Sequence, residues 1–139
     1  MSSVPKHVRS TILEKARREW QEDYEMQRFT VERQTAAYHE FQDLKARMHD
    51  NDFVAPICDF ATRSWPDDYE MQLFTFKEQH LAVIRFITYD HAEVPARVLS
   101  DIKLKACRDW PEDYRMRMYI LERQVAAWLS LNARSCARP

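Results

Sequence analysis

Residues 61–82 read ATRSWPDDYEMQLFTFKEQHLA, and two variants of that string flank it: ARREWQEDYEMQRFTVERQTAA over 16–37 and ACRDWPEDYRMRMYILERQVAA over 106–127. Successive copies lie 45 residues apart. Trp20, Trp65 and Trp110 therefore share one register with Arg18/Arg63/Arg108, Asp23/Asp68/Asp113, Tyr24/Tyr69/Tyr114, Met26/Met71/Met116 and Gln34/Gln79/Gln124. A period of roughly 20–50 residues marks a repeat architecture, in which one unit is too small to bury its own apolar face and stacks on its neighbours. The period divides residues 1–139, read as a single domain, into units at about 4–48, 49–93 and 94–139.

Each unit reads as two helices. The first carries an apolar rib at every fourth position: Val8–Ile12–Ala16–Trp20, Phe53–Ile57–Ala61–Trp65 and Val98–Ile102–Ala106–Trp110. That spacing keeps the side chains on one helical face. Pro5 and Pro95 stand at matching starts, where a missing N–H costs nothing. Pro56 lies deeper in its unit, so the first helix there is expected to begin late, after the linker 49–52. The second helix is expected to open directly after the tryptophan. Pro66 and Pro111 would take its first position, with Asp68 and Asp113 at the third, reaching back to the tryptophan as cap. These helices should run to about Met48, Tyr89 and Leu131. The segment 81–89, LAVIRFITY, is apolar almost all round. Such a helix is usually covered on both sides, which suggests a linear stack with the middle unit enclosed. The predicted fold is all-α, with six helices forming three stacked helical hairpins in a short solenoid or compact bundle.

The chain of 139 residues contains no glycine, where average usage near 7% would supply about ten. Gly-rich phosphate loops of the Walker, Rossmann or kinase kind are thereby excluded, as are routine β-hairpin turns. A hydrophobic fraction of 45% with 12% aromatics suits a packed core. No apolar run approaches the roughly 20 residues of a membrane span, and MSSVPKHVRS has no apolar signal core. A cytoplasmic location is the expectation. Cys58, Cys107 and Cys136 fall at different unit positions without a CxxC pair, which reads as idle thiols. The net charge of −1 is uneven: the units hold nine basic against eight acidic residues, three against nine, and nine against five. Opposite signs on adjoining units favour their docking, and no basic face suited to nucleic acid emerges.

The recurring polar residues are the candidates for chemistry. Arg18, Arg63 and Arg108 each precede the corner aspartate by five positions, a spacing that permits an Arg–carboxylate fork pinning the corner. Its functional rival is a pocket for a small anion or a peptide carboxylate built from the Arg/Asp/Tyr corners. A trait present in every copy serves the common fold first, so the structural reading is preferred. Gln34, Gln79 and Gln124 share a stripe with the methionine and with Ala37/Ala82/Ala127, and are expected to be part-buried. A buried amide must find partners, and main-chain groups of the neighbouring helix or corner are the expected ones. The five histidines share no unit position, and 49–52 lacks the glycine and distal glutamate of a calcium loop. With no HExxH and no nucleophile elbow, no catalytic, cofactor-binding or metal-ligating residue is assigned. Residues that break the repeat, namely Arg28, Tyr38, His80 and Arg117, are the candidate partner surface.

The strings WPDDYEMQ and WPEDYRMR, with the glutamine and alanine that follow, resemble short helical repeat segments of uncharacterised bacterial proteins. The resemblance covers about twenty residues per copy, and copy one, WQEDYEMQ, departs from it at the proline. It implies a bacterial origin and brings no activity. The expectation is a non-enzymatic module that binds a protein or peptide partner, or forms a homo-oligomer. The alternative is a small-molecule or anion binder using the corners.

Overall fold

A computed structural model describes residues 4–137, with side chains as far as Asn132. The chain forms six α-helices: α1 (Lys6–Glu19), α2 (Tyr24–Arg47), α3 (Val54–Ser64), α4 (Tyr69–Thr88), α5 (Ala96–Asp109) and α6 (Tyr114–Ala137). No strand occurs among the described residues. α3 has 11 residues where α1 and α5 have 14. Pro56 explains the difference, because proline is tolerated only in the first turn, where its missing donor would be unsatisfied anyway. Asn51 turns the linker into α3, accepting from the Phe53 N–H through Oδ1 at 2.9 Å and from the Val54 N–H through its carbonyl at 3.1 Å.

Two compact units divide the chain, Met1–Lys77 and Glu78–Pro139, with the boundary inside α4. In the first, α1 packs along α2. Val8, Ile12 and Ala16 of the rib are buried there, as are Thr30, Gln34, Ala37 and Phe41 of α2. The Phe41 and Phe76 rings stack at a tilt, 5.3 Å apart. In the second unit α5 packs along α6, around Phe86, Val94, Leu99, Ala106, Leu121 and Val125. Each such ring or branched chain, fully buried, contributes about 1.5–3 kcal/mol relative to exposure.

The helix boundaries differ from expectation at the tryptophans. Trp20, Trp65 and Trp110 end the first helices, their N–H groups bonded to the carbonyls of Ala16, Ala61 and Ala106 at 2.9, 3.1 and 3.0 Å. Their rings are exposed and do not complete the buried rib. The second helix starts four residues later, at the tyrosine, and its cap is the aspartate. Oδ1 of Asp23, Asp68 and Asp113 accepts from the N–H of Met26, Met71 and Met116 at 3.1, 3.1 and 3.2 Å. A carboxylate just outside the helix reaches the third helical N–H without strain, and tryptophan has no acceptor to offer. Pro66 and Pro111 consequently lie in the connecting turn.

The first turn has Gln21 in place of proline, and Glu22 adopts a φ of 63°. The left-handed region crowds Cβ against the following carbonyl oxygen, costing a residue about 1–2 kcal/mol that glycine escapes. Glu22→Gly is expected to stabilise the protein by about 0.5–1 kcal/mol after glycine's greater unfolded-state entropy is subtracted. A higher urea midpoint at constant slope would show it; a lower midpoint would mean that the turn is unstrained.

The expectation that segment 81–89 is covered on both sides is also corrected. Val83 and Phe86 are buried, whereas Leu81, Ile84 and Ile87 are exposed. The helical period puts these two rows on different faces, and only one row meets the core.

Candidate interaction surface

Each corner is clasped by the helix that follows it. The tryptophan carbonyl accepts from Gln27 Nε2 at 2.8 Å in the first, from Gln72 Nε2 at 2.7 Å in the second and from Arg117 Nε at 2.7 Å in the third. These three positions keep the 45-residue register, and each supplies a long side chain with N–H donors. That recurrence was the available signal, hidden by the change of residue type. Arg117 accordingly holds its own corner, donating also to the Pro111 carbonyl at 2.6 Å and lying 4.1 Å over the Tyr114 ring. It breaks the repeat in type and keeps it in position.

Among the described residues neither Arg18 nor Arg108 forms the expected fork with its corner aspartate, and Asp68 bonds to other groups. Asp68 accepts from Gln34 Nε2 at 3.0 Å and faces Lys15 Nζ at 3.6 Å. Asp113 accepts from Gln79 Nε2 at 2.8 Å and from the Arg115 N–H at 3.1 Å. Capping turns the Asp68 and Asp113 carboxylates into their helices, where each meets an incoming glutamine. Burial alone would raise the Asp68 pKa. Bonds from Gln34 and the Met71 N–H, with the Lys15 charge, outweigh it and hold the carboxyl below its ordinary 3.8. Burial likewise works against the Lys15 charge, yet Glu19 at 2.8 Å and Asp68 lift its pKa above 10.5.

The glutamines join segments 34 to 36 residues apart. Gln34 and Gln79 are only 1% and 2% exposed. While Nε2 donates to the aspartate, Oε1 of Gln34 accepts from the Tyr69 N–H and Oε1 of Gln79 from the Tyr114 N–H, both at 2.7 Å. Each amide thus makes a joint, bonding from both ends to the start of the next long helix, and Gln34 Nε2 reaches Glu70 as well at 3.2 Å. The demand that buried polar groups be paired is thereby satisfied. Ring contacts continue the first joint, with Tyr38 standing edge-on to Tyr69 at 5.3 Å. Gln124, expected to be part-buried like its equivalents, is exposed. Among the described residues no corner lies against it.

Beside each joint lies a charged cleft. The first, about 360 Å³, is bordered by Arg33, Glu40, Glu70 and Lys77, with Phe74 on its wall. Arg33 Nη2 pairs with Glu70 at 2.8 Å, and Lys77 Nζ with Glu40 at 2.6 Å. The second, about 230 Å³, is bordered by Glu78, Arg85, Arg115 and Glu122, with Tyr119 on its wall. Every residue lining the second lies 45 positions after one lining the first, and all four charges are inverted. The equivalent rings Phe29, Phe74 and Tyr119 are each about half exposed.

Of the other candidate residues, Arg28 is exposed on α2 and His80 half-buried on α4. No group of three His, Cys, Asp or Glu side chains suited to a metal ion occurs among the described residues. Burial pushes the Cys58 thiol above its ordinary pKa, which disfavours a nucleophilic thiolate. The side chain of Cys136 lies outside the described residues. No described helix is long and apolar enough to cross a membrane. Compared with family models, curated proteins and solved structures, the chain matches none of them.

Proposed function

We propose that this chain is a non-enzymatic helical-repeat module: three helical hairpins stacked as a short solenoid, presenting the outer faces of their long helices to a protein or peptide partner. The observation that carries this reading is the half-exposed ring at Phe29, Phe74 and Tyr119, retained in every unit although the core is closed without it. Apolar surface that folding does not use is the usual signature of a docking face. Charged clefts beside two of the rings supply the polar rim such a face needs. Short solenoids commonly hold helices or extended segments in this way. The cytoplasm suits it, since Cys58 and Cys107 are free thiols.

Phe74→Ser is expected to abolish retention of a partner captured from a lysate of the source cell, with the thermal midpoint unchanged. Retention equal to wild type would remove the ring face from consideration.

The rival reading, an anion site at the Arg/Asp/Tyr corners, has less support. The Tyr69 and Tyr114 N–H groups that would receive an anion already donate to Gln34 and Gln79. Titration with inorganic phosphate should leave both amide resonances unshifted; saturable shifts there would favour the rival.

A further inference from the structure

The joint that Gln34 and Gln79 each make leaves one unused half on α6 and the complementary half on α2. We infer that the chain associates head to tail with a second copy of itself, the α6 face around Gln124 receiving the Asp23–Tyr24 corner of another molecule. The inference rests on the stacked-module reading but uses different residues from the ring face.

Equivalent positions show what each half is missing. Tyr69 is 9% exposed beneath its glutamine, and Tyr24 is 74% exposed. The carboxylates of Asp68 and Asp113 accept both from their own helix and from a glutamine amide, whereas among the described residues the Asp23 carboxylate accepts from the Met26 N–H alone. Among the described residues the Tyr24 N–H has no acceptor, and the Gln124 amide no partner. On the tail, Leu131 stands at the register of Phe41 and Phe86 and is 79% exposed, against 1% and 6% for those two. Trp128 stands at the register of Tyr38, whose ring closes on Tyr69. Repeat proteins ordinarily finish with polar outer faces, yet the head leaves Tyr24 and the tail Leu131 exposed among their polar neighbours.

Charge selects the same pairing. At the register of Arg33 and Glu70, which pair at 2.8 Å, the tail presents Arg123 and the head presents Glu25. Arg123 lies 5.4 Å over the Tyr119 ring, as Arg33 lies 5.1 Å over Phe29, the pose from which Arg33 reaches its carboxylate. An acidic corner carrying Glu22, Asp23 and Glu25 thus meets a unit with nine basic residues against five acidic. A contact between unlike faces propagates unless its rotation closes a ring.

Sedimentation of the full chain across a wide concentration range tests this, with helicity monitored by circular dichroism. The mass is expected to rise above the single-chain 16.8 kDa and to continue past the dimer unless a ring closes. Tyr24→Pro removes the head N–H at a helix position that accepts proline, and Gln124→Glu opposes a carboxylate to Asp23. Each alone should weaken association at least tenfold. Their equimolar mixture should stop at a dimer, because one good head and one good tail remain. Glu25→Arg and Arg123→Glu should each fail alone and associate when mixed. A mass of 16.8 kDa at all concentrations, or mixtures that associate no better than the single variants, would overturn the inference. Phe74→Ser should leave self-association intact, so failure of the ring-face reading and failure of this one are separately visible.

Discussion

Replacing Gln79 by leucine is expected to destabilise the fold by about 3 kcal/mol, whereas the same change at Gln124 should alter stability by less than about 0.5 kcal/mol. Leucine matches glutamine in size and brings favourable apolar burial, so the loss comes from the partners. The Asp113 carboxylate loses a donor at 2.8 Å and the Tyr114 N–H loses its acceptor at 2.7 Å. Both groups are half-buried, and each so abandoned costs about 1–3 kcal/mol, of which the apolar gain returns part. At this chain length 3 kcal/mol corresponds to a fall in thermal midpoint of roughly 10 °C. Gln124 serves as the internal control, since its exposed amide has nothing to abandon. Urea melts of the two variants decide the matter. A neutral or stabilising Gln79→Leu would mean that the amide contact contributes nothing.

Asp68→Ala should cost about 2 kcal/mol, the sum of a lost helix cap worth about 1 kcal/mol and the loss of one of the two acceptors of Gln34 Nε2, which keeps Glu70 at 3.2 Å. The Lys15 pair adds little, being a long contact at 3.6 Å. Asp68→Asn retains an acceptor and removes only the charge, so its cost should be near 1 kcal/mol at neutral pH. Because the folded carboxyl titrates below its ordinary 3.8, its charge stabilises the fold fully above that value. The contribution is lost as pH falls through the folded pKa, where folded and unfolded forms bind the proton alike. Wild type and Asp68→Asn should therefore converge in stability below about pH 3.8. A gap that persists unchanged to pH 3 would show that the carboxylate charge is not what the corner uses.

The all-helical class was legible for local reasons. The absence of glycine, the four-residue ribs and the prolines at turns act within a few residues of chain, where sterics and hydrogen-bond periodicity leave few alternatives. The burial of Gln34 and Gln79 was legible too, because an amide amid small and apolar neighbours on a core stripe must bond across to something. Choices among near neighbours were misjudged. Tryptophan and aspartate stand three residues apart, and which one caps the long helix depends on where the turn closes. The neighbouring arginines offered the aspartates a plausible partner, yet at Asp68 and Asp113 a glutamine of the preceding long helix arrives from 34 residues away.

By itself the amino-acid sequence determined the helices, their approximate ends and the residues at every corner, because those follow from short-range backbone geometry and spacing. Tertiary structure alone decided which identical residues do the same work. Gln34, Gln79 and Gln124 are the same side chain in the same local string, and two are sealed while the third is exposed. Their difference lies in whether another corner packs against them, and that is a property of packing across distant segments, which no local pattern encodes.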